Sequence, residues 1–99
     1  MKGRAQELAG LDREIHEPAR LTIVAMLYAA EEADFVFLQR ESGLTKGNLS
    51  SHLSRLEQAG YVEIEKTFRG KIPLTVCRLT EAGRGAFERY RATLKRALG

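Results

Sequence analysis

The sequence predicts a mainly α-helical fold with one small β-hairpin, of the α+β class, in a single domain over residues 1–99. Apolar residues recur at helical spacing in both the first and the last third of the chain. Between about residues 61 and 79 the period changes from 3.6 to 2, as expected for two strands. A length of 99 residues, 43% of them hydrophobic, is enough for one domain with its own core.

The first two helices are predicted from apolar spacing. Leu8, Leu11 and Ile15 lie at i, i+3 and i+7, which indicates a short amphipathic helix with a thin apolar stripe. Pro18 suits the first turn of a second helix, because its missing N–H would have no helical partner there. The second helix carries a wide apolar face and is expected to end near Ala30, where acidic residues interrupt the pattern.

A pair of helices separated by a glycine turn is predicted over about residues 34–59. Asp34 can cap the third helix, and Gly43 can end it in the left-handed conformation. Thr45 can cap the fourth helix with its hydroxyl, and Gly60 can stop it in a Schellman motif. Two helices joined across such a turn form a helix-turn-helix unit.

A hairpin is predicted over about residues 61–79. Its strands alternate apolar and polar residues, and its turn contains Gly70 for a positive φ. Arg69 and Lys71 flank that glycine, so the hairpin ends in a basic tip.

The last helix is predicted over about residues 80–98, with Thr80 as its N-cap. The apolar stripes of this helix and of the first helix would be exposed to solvent in a monomer, which favours a homodimer joined through these terminal helices. The two helices could instead pack on each other within one subunit. The predicted dimerisation residues are Leu8, Leu11, Ile15, Phe87, Tyr90 and Leu94.

Charge is distributed unevenly along the chain. Residues 1–45 hold five Lys and Arg against eight Asp and Glu, a charge of −3, whereas residues 46–99 hold eleven against five, a charge of +6. The basic C-terminal half favours a polyanionic partner such as nucleic acid. A chance distribution of solvated charges would give the same count, so charge alone does not decide the function.

The predicted order of elements, with a basic hairpin after the helix-turn-helix, is that of a winged helix-turn-helix. Helix 45–59 takes the recognition position. Its leucines share one face, and small or hydrogen-bonding side chains occupy the other, so its backbone could approach a major groove closely. The wing, residues 66–72, would then lie on the DNA backbone or in the minor groove. The alternative is that the serines only keep a surface helix soluble.

Over residues 12–98 the sequence resembles the small MarR-like winged helix regulators. The segments that carry the resemblance are Leu44–Leu53 and Leu56–Val62, with Ile15–Leu21, Gly70–Lys71, Pro73, Thr75 and Leu79–Gly83. The resemblance implies a homodimer with paired recognition helices in successive major grooves of double-stranded DNA, which favours a palindromic operator. By the same resemblance, the DNA contacts would be made by Thr45, Lys46, Asn48, Ser50, Ser51, Ser54, Arg55, Arg69 and Lys71.

Three positions depart from the family pattern: Val36, Leu74 and Cys77. Leu74 replaces a common polar or basic residue and weakens the charge of the wing. Cys77 could sense oxidants, although a buried free cysteine is usually a small hydrophobe. His16 and His52 have no further ligands at metal-site spacing, so no metal site is predicted. A redox- or metal-responsive repressor remains an alternative.

The predicted function is therefore a sequence-specific DNA-binding transcriptional regulator. No nucleophile motif or phosphate loop indicates an enzyme, and no cofactor is predicted. The N-terminus lacks the apolar stretch of a secretory signal, no segment could span a membrane, and one cysteine suits a reducing compartment, so we expect a cytoplasmic protein. The main alternative is a winged helix used as a protein-interaction module.

Overall fold

The computed structural model describes residues 3–99, which form five helices and one three-stranded antiparallel sheet. In chain order the elements are α1 (Arg4–Ala9), α2 (Pro18–Ala30), β1 (Glu32–Asp34), α3 (Phe35–Ser42), α4 (Lys46–Gln58), β2 (Val62–Arg69), β3 (Ile72–Leu79) and α5 (Glu81–Leu98). The predicted winged helix-turn-helix class is confirmed. Within residues 3–99, no helix is both long and apolar enough to cross a bilayer.

The predicted caps are present at the helix ends that position α4. The Asp34 carboxylate accepts the N–H of Phe37 at 2.9 Å, and Gly43 ends α3 with φ of 73°. The Thr45 hydroxyl accepts a first-turn N–H of α4 at 3.1 Å. Gly60, with φ of 81°, ends that helix. Local side-chain and glycine chemistry therefore sets both ends of α4.

The core forms around α2. Ile23, Val24 and Leu27 of this helix have no exposed surface, and α3, α4, α5, β1 and β3 pack against the helix. The remaining core residues are Leu11, Ile15, Leu38, Leu49, Leu53, Leu56, Val62, Cys77, Leu79, Ala86, Phe87 and Tyr90. Because α4 contributes three leucines to this cluster, its opposite side faces outward.

The predicted first helix is wrong beyond Ala9. The Asp12 carboxylate accepts the N–H groups of Glu14 at 2.9 Å and Ile15 at 3.3 Å, which folds this segment into a turn instead of a helix. Ile15 is nevertheless fully buried. The apolar spacing thus identified core residues correctly but assigned them to the wrong secondary structure.

The sheet contains one strand that the sequence pattern did not predict. The three-residue β1 pairs antiparallel with β3, so the strand order is β1-β3-β2 and β3 is central. The chain enters β1 through Glu31, whose φ of 68° lies in the left-handed region that side chains rarely adopt. A strand this short, carrying two acidic residues, has too little alternation to be recognised.

The two terminal helices pack on each other within one subunit. The Glu7 carboxylate of α1 lies 3.7 Å from the Arg96 guanidinium near the end of α5. Four of the six predicted dimerisation residues are buried inside the chain itself: Leu11, Ile15, Phe87 and Tyr90. Leu8 and Leu94 are only half-buried, so part of their apolar surface is exposed.

Candidate nucleic-acid interface

α4 has one buried and one exposed side. Leu49, Leu53 and Leu56 are at most 2% exposed, which fixes the rotation of the helix on the core. The exposed residues of the helix are Lys46, Gly47, Asn48, Ser50, Ser51, Ser54, Arg55, Glu57 and Gln58. Apart from the acidic Glu57, they are small, hydrogen-bonding or cationic, which suits a helix that enters a major groove.

The hairpin also has two distinct faces, because side chains alternate along a strand. Lys66 and Phe68 follow Val62 and Ile64 on the inner face, which begins in the core. Across the ladder, Lys66 pairs with Thr75 and Phe68 pairs with Pro73. Phe68 is 67% exposed. The inner face thus changes from apolar core at its base to a cation and an exposed aromatic ring toward its tip.

A groove of about 850 Å³ separates α4 from this inner face. Its apolar lining comes from Phe35, Leu53 and Ile64, and its polar lining from residues of both walls. The polar residues of the groove are Lys46, Ser50, Ser54, Glu57, Lys66 and Thr75. Two lysines on opposite walls therefore face a cleft that is open to solvent.

The predicted contact residues of α4 lie on two flanks of the helix. Lys46, Ser50 and Ser54 line the groove beside the hairpin. Asn48, Ser51 and Arg55 are exposed on the other flank. Thr45 is also exposed, but its hydroxyl is already engaged as the N-cap. The exposed side of α4, together with Lys66, Phe68 and Thr75 of the hairpin, is called the reading face below.

Arg55 is held by a carboxylate outside the helix-turn-helix. Its Nε donates to Oε2 of Glu14 at 2.9 Å, and its Nη2 lies 3.5 Å from Oε1 of the same residue. This hydrogen bond and the charge of Glu14 raise the pKa of Arg55. The side chain is still 59% exposed, so it remains open to another molecule.

The two predicted wing residues lie at the end of the hairpin, away from the groove lining. Arg69 pairs across the ladder with Ile72 on the outer face, and Lys71 lies in the turn after Gly70. Lys66 and Phe68 lie within the predicted wing, residues 66–72, but the sequence pattern named only the tip cations as contacts. The signal that could have identified Lys66 and Phe68 is the strand alternation. They are four and six residues after Val62, so their side chains lie on the same face of the strand as Val62.

The outer face of the sheet is organised by one arginine. Arg78 of β3 contacts Glu32 at 3.1 Å, Glu63 at 3.2 Å and Glu65 at 3.0 Å. The hydrogen bonds that Arg78 donates to Glu65 and Glu32 raise its pKa. This cluster joins all three strands and uses the cation internally, so Arg78 is a structural residue.

A part-buried polar network connects the start of α2 to α4. The Arg20 guanidinium is 3.3 Å from His52 Nδ1 and 3.6 Å from Glu17, which also caps α2. Burial acts to raise the pKa of Glu17, but hydrogen bonds from two backbone N–H groups and the nearby His52 and Arg20 lower it overall. His52 is therefore a packing and hydrogen-bonding residue of the core side of α4.

Cys77 lies in the central strand with no exposed surface. Burial, as the main cause, raises the pKa of its thiol to about 11, so the reactive thiolate is scarce at neutral pH. Among residues 3–99, no three His, Cys, Asp or Glu side chains are grouped as metal ligands would be.

Comparison with known proteins assigns the family. Residues 19–98 match the family model described as a winged helix DNA-binding domain. An uncharacterized protein from Methanocaldococcus jannaschii is 40% identical over 72 residues, which are 72% of this chain and 77% of that protein.

Two solved structures extend this similarity to the fold. A transcriptional regulator homologue from Pyrococcus horikoshii superposes with a TM-score of 0.87 at 30% identity, over 96% of this chain and 93% of its own. The transcriptional repressor BigR from Xylella fastidiosa has a TM-score of 0.64 at 28% identity, over 94% and 89%. The chain therefore belongs to the winged helix DNA-binding domain family, and its resemblance to the MarR-like transcriptional regulators is confirmed.

Proposed function

We propose that this protein is a homodimeric transcriptional regulator that binds specific sequences of double-stranded DNA. The observation that carries the proposal is the reading face, where exposed polar residues of α4 and an inner-face lysine of the wing flank one open groove. Small side chains at Gly47, Ser50 and Ser54 let the α4 backbone come close to base edges. Similarity to proteins described as transcriptional regulators supports the regulatory role.

In the proposed complex, α4 lies in the major groove and the wing contacts the adjacent backbone or minor groove. Lys46 and Lys66 line opposite walls of the groove, a placement suited to the phosphates of one strand. Asn48 and Arg55, on the other flank, carry the hydrogen-bonding groups best suited to adenine and guanine. Phosphate contacts would give affinity, and base contacts would give sequence preference.

The homodimer is proposed from apolar surface on the terminal helices. Leu98 is 68% exposed, and Leu8 and Leu94 are only half-buried, although α1 already covers part of α5. The chain is also elongated, 57 Å along its longest axis against 25 and 22 Å. A second copy placed on this surface would bury the leucines and present two reading faces. Half-sites about 34 Å apart on a palindromic operator would fit such a pair.

A protein-interaction module is the alternative function, and a patch of exposed apolar residues would favour it. The reading face is instead polar apart from Phe68, so DNA is the better match. A redox-responsive repressor is disfavoured by the burial and raised pKa of Cys77. We further propose that the protein acts by occupying DNA and does not catalyse a reaction.

The test is selection of duplexes from a random library by the purified protein at two salt concentrations. We expect enrichment of a palindrome, with affinity that falls steeply as salt rises. Weak binding without enrichment would contradict sequence-specific recognition. Sedimentation at micromolar concentration tests the dimer separately, and a species of single-chain mass would contradict it.

A further inference from the structure

Arg55 is the only arginine of α4, and its guanidinium is held along one edge. The Glu14 carboxylate takes the edge formed by Nε and Nη2, at 2.9 and 3.5 Å. Such an arginine still has the N–H groups of its far end, Nη1 and the second N–H of Nη2, outside the pair. Two parallel N–H groups of this kind match the O6 and N7 acceptors of guanine in a major groove.

Glu14 is itself held firmly, which distinguishes this pair from an ordinary surface ion pair. Its N–H donates to the Asp12 carboxylate at 2.9 Å, and its carbonyl accepts from Nε of Arg20 at 2.6 Å. Arg20 is 9% exposed, and the neighbouring Ile15 is fully buried. An exposed ion pair normally has to immobilise two flexible side chains. Here the backbone of one partner is fixed before the pair forms.

We propose that Glu14 is a positioning residue that presents the free end of Arg55 to a guanine and thereby sets specificity at one base pair of each half-site. The inference rests on the proposed function. Arginine has many rotamers, and restricting them before binding lowers the cost of ordering the side chain on DNA. The Glu14 charge also disfavours phosphate at this edge of α4, so it acts against nonspecific binding.

The test uses the operator selected by the unaltered protein and a random duplex of equal length. We expect Glu14→Gln to weaken operator binding about three- to tenfold without weakening binding to the random duplex. Glu14→Asp keeps the charge but shortens the reach, so we expect the same loss of operator affinity. In repeated selections, both variants lose the guanine preference at one position per half-site.

A double-mutant cycle separates positioning from a general effect on the fold. If Glu14 acts through Arg55, adding Glu14→Gln to Arg55→Gln weakens operator binding no further. The matched control is Glu63→Gln, which removes a carboxylate from another arginine–glutamate pair, 3.2 Å from Arg78 on the outer face of the sheet. This control leaves operator affinity unchanged. Unfolding free energies measured on the same variants report any loss of stability.

Two results would overturn the inference. Equal tightening of operator and random duplex by Glu14→Gln would mean that Glu14 only repels DNA. An unchanged guanine preference in both Glu14 variants would mean that it does not position Arg55. Failure of the unaltered protein to enrich any sequence is a different result, because it contradicts the proposed function itself.

Discussion

The reading face differs from a second region in how its polar groups are paired. This second region, called the junction, consists of Tyr61 and the residues that contact it: Asp12, Leu56, Thr80 and Gly83 at the start of α5. In the junction, Tyr61 connects three parts of the chain: its hydroxyl donates to Asp12, its carbonyl accepts the N–H of Thr80, and its N–H donates to Leu56. On the reading face, the serines and lysines are exposed. We therefore expect stability to depend on groups paired within the chain, and the proposed DNA binding to depend mainly on groups exposed to solvent.

The largest expected effect is in the junction, at Gly83. A Cβ there would lie 2.1 Å from the Tyr61 carbonyl oxygen, a backbone atom that cannot move without disturbing the start of α5. We expect Gly83→Ala to lower the free energy of unfolding by about 4 kcal/mol or more, measured by urea denaturation. DNA binding is lost only because the fold is lost.

Gly85, two residues later in the same helix, is the matched control. Its added Cβ would approach only the end of the flexible Arg89 side chain, at 3.2 Å. Gly85→Ala is expected to stabilise the protein by about 0.5–1 kcal/mol, because alanine favours a helix interior. If both variants unfold at the same urea concentration, the close contact at Gly83 is not the cause.

The second effect belongs to the reading face. We expect Arg55→Ala to weaken operator binding about tenfold to a hundredfold by removing a bidentate guanine contact, while the unfolding free energy changes little. Binding is measured at fixed salt, because phosphate contacts depend on ionic strength. Arg40→Ala on α3, an exposed arginine outside both the reading face and the proposed dimer surface, is the control. An unchanged operator affinity would remove Arg55 from the set of base-reading residues.

The contrast between the two regions also explains what the sequence could predict. Caps at Asp34, Thr45 and Thr80 depend on residues within one turn, and all three are observed. Partners that are distant in sequence gave no local signal, as for Arg55 with Glu14 or Arg20 with His52. The spacing of Leu11 and Ile15 predicts a helix, but the Asp12 carboxylate folds this segment into a turn. A turn of this kind leaves no periodic pattern in the sequence that could reveal it.

A third effect tests which face of the wing meets DNA. Lys66→Gln on the inner face is expected to weaken binding to all duplexes a few-fold and to reduce the salt slope by about one. Arg40→Gln on α3 removes an exposed cation outside both the reading face and the proposed dimer surface, and leaves the slope unchanged. A normal slope for Lys66→Gln would place the phosphate strand elsewhere, such as at Arg69 and Lys71.

The smallest effect is a pH dependence in the junction. The hydrogen bond to Asp12 is the main cause that raises the pKa of Tyr61 to about 12, and burial adds to it. Because the folded state holds this proton more tightly than the unfolded state, the contribution is complete below pH 10 and is lost as the pH rises toward 12. Tyr61→Phe removes it, at a cost of about 1 kcal/mol after allowance for solvent.

The measurement is the difference in unfolding free energy between the unaltered protein and Tyr61→Phe, at pH 8 and at pH 11.5. We expect the difference to shrink at the higher pH, while other titrating groups affect both proteins alike. Tyr28→Phe is the control, since the Tyr28 hydroxyl donates to the exposed Glu88 at 2.9 Å and is expected to contribute less at pH 8. A difference that stays constant with pH would show that Tyr61 acts through packing alone. In that case the hydrogen bond between Tyr61 and Asp12 would contribute little to stability, and pairing of polar groups would not distinguish the junction from the reading face.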